Sequence, residues 1–125
     1  MTDMTSMFNG ASSFNQPLNK WDVSKVTNMG SMFKYARSFN QPLNKWDVSN
    51  VENMGYMFQN ASSFNQPLFQ NVSKVKNMRL MFKEAISFNQ PLNDWNVSGS
   101  ERNVFTGTER ASGEEQRSDE RRKTA

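Results

Sequence analysis

Few residue types in this chain can do chemistry. Its 125 residues include no His and no Cys. That removes the commonest general base, the serine–histidine triads and the commonest zinc ligand. It also removes disulfides and thiolate metal sites. What remains is a pair of carboxylates. Asp22 and Asp47 occupy the same place in two copies of the phrase Lys-Trp-Asp-Val-Ser. In stacked copies their carboxyl groups would stand roughly 5 Å apart, close enough to share a proton or a cation. Lys20 and Lys45 accompany them, and ion pairing is the simpler account of the column. The expectation is therefore no enzyme, no cofactor and no metal site.

The scaffold that must position these groups is a repeat. Phe-Asn-Gln-Pro-Leu begins at Phe14, Phe39, Phe64 and Phe88, in steps of 25, 25 and 24 residues. A fixed period in this range marks one supersecondary unit stacked on copies of itself. Such arrays build surfaces and rarely build active sites.

Within the unit 26–50, Met29, Met32, Phe33 and Ala36 fall at i, i+3, i+4 and i+7. This spacing predicts a short helix, with Asn28 as its N-cap. Asp3, Asn53 and Asn77 share the Asn28 column. Pro42 ends the helix. Polar and apolar residues then alternate through Lys45, Trp46, Asp47, Val48 and Ser49, which predicts a half-buried strand. The expected fold class is an α/β repeat: a leucine-rich-repeat-like solenoid of about 3.5 units with short parallel strands and short helices. Strands are expected near 20–24, 45–49, 70–73 and 94–98, and helices near 29–36, 54–61 and 78–85. Repeat-register boundaries fall near 25, 50 and 74.

The columns of Met4, Met7, Phe8, Ala11, Phe14, Leu18 and Val23 recur in each unit and supply the candidate core. Met fills irregular gaps and contacts aromatic edges favourably, so these columns read as packing rather than as a ligand site. The columns headed by Asn15 and Gln16 read as turn-bonding ladders. The third unit is one residue shorter after its Pro-Leu and lacks Trp, and Phe69 is expected to take the Trp place.

Residues 1–98 hold nine Lys/Arg and six Asp/Glu, whereas 99–125 hold six of each. This modest excess, without a basic stripe interleaved with aromatics, argues against nucleic acid. Residues 1–98 form the repeat region. Residues 99–125 are rich in Gly, Ser, Thr, Glu and Arg and are expected to be a disordered tail. No apolar run approaches the roughly 20 residues that span a bilayer. Met1 to Thr5 show no signal-peptide pattern. Both ends of the array lack a polar capping unit, which suggests a fragment of a longer array. Asn60, Asn71 and Asn96 head glycosylation sequons, a weak signal in so Asn-rich a chain.

The words Met32-Phe33, Phe39 to Leu43 and Trp46 to Ser49 make the unit similar to those of the BspA-type leucine-rich-repeat-like surface proteins. That family includes mycoplasma lipoproteins and other bacterial, protist and algal surface proteins. The resemblance covers residues 1–98. It implies a leucine-rich-repeat architecture, a cell-surface or extracellular location and a role in protein binding or adhesion, with no catalytic residues. The candidate protein-binding face is the outward column Lys20, Asp22, Ser24, Lys45, Asp47, Ser49, Asn71, Ser73, Asp94, Asn96 and Ser98. The alternative is a structural spacer or a degenerate remnant. Further repeats are expected to be able to continue the stack.

Overall fold

A computed structural model describes residues 2–92 and 95. The chain winds through successive coils: 2–25, 26–50, 51–74 and 75–92 with Trp95. Among the described residues there is no helix, and the regular pairing is limited to three parallel bridges, Asp3 with Asn28, Asn28 with Asn53, and Asn53 with Asn77. This overturns the α/β solenoid of leucine-rich-repeat type. The expected helices near 29–36, 54–61 and 78–85 are runs of turns, and the expected strands near 20–24, 45–49 and 70–73 are turns and irregular backbone. The strand expected near 94–98 and the tail expected at 99–125 lie outside the described residues, apart from Trp95.

The hydrogen-bond ladder explains the difference. In the segment after each bridge, alternate N–H groups donate to the next coil. Met29, Ser31, Phe33 and Tyr35 donate to the carbonyls of Asn53, Gly55, Met57 and Gln59 at 2.8–2.9 Å. Met54, Tyr56, Phe58 and Asn60 repeat this onto Asn77, Arg79, Met81 and Lys83. An N–H committed to the next coil cannot close an i→i−4 bond. Other N–H groups reach back only three residues, as Met32 does to Met29 at 3.2 Å and Ala36 to Phe33 at 2.9 Å. These are β-turns.

The turns need left-handed backbone at two places per coil. One place holds Ser6, Ser31, Tyr56 and Leu80; the other holds Gly10, Tyr35, Asn60 and Glu84, with φ between 55° and 78°. Gly10 accepts this without steric cost, whereas the side-chain-bearing residues are held there by the ladder. Asn28 and its column-mates keep the local chemistry expected of a cap. Asn28 Oδ1 accepts from Gly30 N–H at 2.9 Å, and Asn53 Oδ1 from Gly55 N–H at 2.8 Å. No helix follows, so these are turn bonds. A Cβ on Gly55 would meet Asn77 Nδ2 at 3.0 Å and Oδ1 at 3.1 Å, so the Asn column packs directly over the Gly.

The core runs down the axis of the stack. Met29, Met32, Phe33, Ala36, Phe39 and Leu43 are fully buried, as are Met54, Met57, Phe58, Ala61 and Phe64 below them. The Phe rings form two columns. Phe8, Phe33, Phe58 and Phe82 are stacked at 5.4–5.5 Å between centroids, and Phe14, Phe39, Phe64 and Phe88 at 5.8–5.9 Å. Within a coil the two columns touch, with Phe58 and Phe64 at 4.4 Å. Each aromatic contact contributes about 0.5–1.5 kcal/mol beyond its buried area. Phe69 is buried and stacks on Trp95 at 5.8 Å, which keeps an aromatic in the shorter coil.

Candidate functional site

The column proposed from sequence is a line of exposed turns. Lys20, Asp22, Lys45, Asp47, Asn71 and Ser73 are exposed, and Ser24 and Ser49 half-buried. Asp94, Asn96 and Ser98 lie outside the described residues. Each acidic or amide side chain closes its own turn. Asp22 Oδ1 accepts from Ser24 N–H at 3.0 Å and Ser24 Oγ at 2.6 Å. Asp47 does the same with Ser49 at 3.1 and 2.6 Å, and Asn71 with Ser73 at 3.3 and 2.8 Å.

These bonds, rather than ion pairs, set the electrostatics. The Ser24 hydroxyl, then its N–H, holds the Asp22 carboxyl below its ordinary value, and the attraction of Lys25 adds a smaller effect. Ser49 lowers Asp47 in the same way, against a small opposing effect of the Asp22 charge. Asp3 is lowered by Thr5. The ion pairing expected from Lys20 and Lys45 is therefore not what positions the column: neither lysine is among the causes of these shifts. A carboxylate stabilised in its charged form and already accepting two hydrogen bonds is poorly suited to proton transfer.

Neighbouring turns are tied by amides. Lys45 N–H donates to Asn19 Oδ1 at 3.0 Å, Asn50 Nδ2 to the Ser24 carbonyl at 2.9 Å, and Lys74 Nζ to Asn50 Oδ1 at 3.0 Å. The Asn-Gln columns make the ladder read from the sequence. Asn40, Asn65 and Asn89 each donate a backbone N–H to the Asn Oδ1 one coil earlier, at 2.8–2.9 Å. Gln41, Gln66 and Gln90 donate Nε2 to the carbonyl of that same Asn at 3.2–3.3 Å.

A second cluster was missed by the sequence reading. Lys34 Nζ lies 5.9 Å from the Tyr35 ring centre and 5.2 Å from that of Tyr56, and the Arg37 guanidinium lies 5.3 Å from Tyr35. Tyr35 and Arg37 are exposed, and Lys34 and Tyr56 half-buried. The signal in the sequence was the placing of both tyrosines of the chain in columns that elsewhere hold Gly, Asn and Glu, or Ser and Leu. Among the described residues, no group of three or more His, Cys, Asp or Glu is placed to hold a metal ion. No helix among them is long and apolar enough to cross a membrane.

The repeat that builds these columns matches a family model over residues 1–71 and again over 68–110, described as Mycoplasma protein of unknown function, DUF285. The chain belongs to this family. No curated protein and no solved structure matches it. The DUF285 match runs through all the described coils, so the turn columns and the Tyr35 cluster both lie within the family's repeat.

Proposed function

We propose that the chain is a non-catalytic protein-binding or adhesion repeat module that presents the exposed turns of successive coils to a protein partner. The observation that carries this reading is the Lys34, Tyr35, Arg37 and Tyr56 cluster. Its side chains stand on exposed turns of two coils. The stack there is held by backbone bonds such as Tyr35 N–H to the Gln59 carbonyl and Tyr56 N–H to the Arg79 carbonyl. Tyrosine and arginine side chains that the stack does not need are the types enriched at binding hot spots. The exposed column of Asp22 and Asp47 supplies a charged surface, of the kind that acts on specificity and encounter rate. In this reading the two aspartates are turn-forming surface residues and no reaction is catalysed. The repeat words shared with the BspA-type surface proteins support a surface-attachment role of the same kind.

The test uses a partner captured from the native host on the parent chain. Tyr35→Ala with Tyr56→Ala is expected to weaken capture at least tenfold. Asp22→Asn with Asp47→Asn keeps the Oδ1 acceptors and removes the charges, and is expected to change the salt dependence of capture. If both double variants bind as the parent does, the turn faces are not the binding surface. If no partner is captured at all, the spacer or remnant reading replaces this one.

A further inference from the structure

We propose that the Lys34, Tyr35, Arg37 and Tyr56 cluster takes an acidic protein segment, one in which carboxylates alternate with apolar or aromatic side chains. This names the partner chemistry of the surface described above and rests on its binding role.

The other coils show what the repeat needs at these four places. Lys34 shares its column with Asn9 and Gln59, and Arg37 shares its own with Ser12 and Ser62. Tyr35 stands in the column of Gly10 and Asn60, and Tyr56 in that of Ser6 and Ser31. Coil 2–25 closes the same turns with small polar residues: Asn9 N–H donates to the Ser6 carbonyl at 3.1 Å, as Lys34 N–H does to Ser31 at 3.2 Å. The turns therefore need neither a cation nor a phenol. In coils 26–50 and 51–74 two of each replace the small residues and meet in one patch. Both coils are bonded to a described coil on either side, so the patch faces sideways and stacking leaves it open.

The patch is cationic and its charge is unanswered. Lys34 Nζ lies 5.9 Å from the Tyr35 ring centre and 5.2 Å from that of Tyr56, and the Arg37 guanidinium 5.3 Å from Tyr35. A cation held over a ring is steered in place but keeps its charge and its N–H donors. Among the described residues neither Lys34 nor Arg37 makes an ion pair or a side-chain hydrogen bond. Two coils on, these columns hold Lys83 and Glu84, whose opposite charges offset each other. The unbalanced positive charge thus lies at Lys34 and Arg37.

The ligand that answers it carries acceptor oxygens beside apolar surface. Carboxylates match the guanidinium fork and the ammonium, and Tyr35, 38 % exposed, offers ring area to the side chain next to them. A long polyanion fits less well. It would need a cation in each coil it crossed, and Asn9, Gln59, Ser12 and Ser62 are neutral.

The probe is a synthetic peptide of three Asp-Phe-Glu-Gly repeats, titrated at low salt into the isotope-labelled full chain and followed by NMR. Shifts are expected at the amides of Lys34 to Arg37 and of Tyr56. The matched Asn-Phe-Gln-Gly peptide is expected to bind at least tenfold more weakly. Lys34→Gln with Arg37→Ser installs residues that these columns already hold at Gln59 and Ser62, so its urea midpoint should match the parent's while its affinity for the acidic peptide falls at least tenfold. Equal binding of the two peptides, no binding of the acidic one, or a charge-depleted variant that binds like the parent overturns the proposal. A heparin-derived oligosaccharide that binds the patch more tightly than the acidic peptide overturns it too, and marks a polyanion site. If the native partner is lost with Tyr35→Ala and Tyr56→Ala but kept with Lys34→Gln and Arg37→Ser, the binding surface stands and its acidic ligand falls.

Discussion

The indole N–H of Trp46 donates to the carbonyl of Leu18, 2.8 Å away in the coil above. Trp95 makes the same bond to Phe69 at 3.1 Å, although the shorter third coil has shifted the chain by one residue. The bond carries a core aromatic across a coil boundary and satisfies its one polar atom there. It shows how this fold is held: side chains and alternate amides bridge coils that have no helix or sheet of their own.

Phe58 lies in the middle of the Phe column, fully buried and stacked on Phe33, Phe64 and Phe82. Phe58→Ala is expected to cost about 3–5 kcal/mol, the usual range for a buried Phe. Urea midpoints of the variant and parent measure it. Against a typical total of about 5–15 kcal/mol the variant is close to unfolding. An unchanged midpoint would place Phe58 outside the core.

Asn40 Oδ1 accepts the backbone N–H of Asn65 at 2.9 Å. Asn40→Ala removes that acceptor from an exposed bond and is expected to cost about 0.5–1.5 kcal/mol. Asn40→Asp keeps it and is expected to recover most of the loss at neutral pH. Equal midpoints for the two variants would mean that the ladder does not stabilise the stack.

Acid should weaken the turns. Asp3, Asp22 and Asp47 are all held below their ordinary value of 3.8 by serine or threonine bonds. A carboxyl lowered in the folded state stabilises it above the unfolded value, and that contribution is lost as pH falls through the folded value. Stability is therefore expected to be flat from neutral pH down to the carboxylate range and to drop below about pH 4. Asp22→Asn with Asp47→Asn is expected to reduce the drop, because Asn71 makes the same turn without a titrating group. An identical pH profile in the double variant would contradict this.

Glu84 is exposed, with φ of 60°, in the column that Gly10 heads. Left-handed backbone costs an ordinary residue about 1–2 kcal/mol, and glycine is free of that cost but loses more chain entropy. Glu84→Gly is expected to raise the unfolding free energy by a net of about 0.5–1 kcal/mol, and with it the urea midpoint. A lowered midpoint would mean that the left-handed turn is not strained.

The repeat, its register, the core columns and the Asn-Gln ladder were all legible in the residues, because each depends only on which side chain recurs where. Phe69 was legible for the same reason, as the remaining aromatic beside a one-residue gap. Helix and strand were not. Met29, Met32, Phe33 and Ala36 at i, i+3, i+4 and i+7 present one face in a helix, and they also face inward from two successive β-turns. Asn28 bonds the Gly30 N–H in either case. What decides between them is whether the Phe33 N–H turns to its own segment or to Met57 in the next coil, and spacing carries no trace of that. The left-handed places were hidden as well: Gly10 marks one column, but Tyr35, Asn60 and Glu84 conceal it below. In the candidate site, the Asp22–Ser24 pairing was mistaken for ion pairing because Lys20 adjoins it in sequence. The tyrosine–lysine cluster escaped notice because Lys34 and Tyr56 meet only across a coil boundary.

The central claim is that alternate amides bond between coils and not along the chain. Scalar couplings through hydrogen bonds, measured by NMR on labelled protein, test it directly. The account predicts couplings from Phe33 N to the Met57 carbonyl carbon and from Tyr35 N to that of Gln59, matching the 2.8 Å bonds. Couplings from Phe33 N to Met29 and from Tyr35 N to Ser31, the i−4 pattern of a helix, would contradict it.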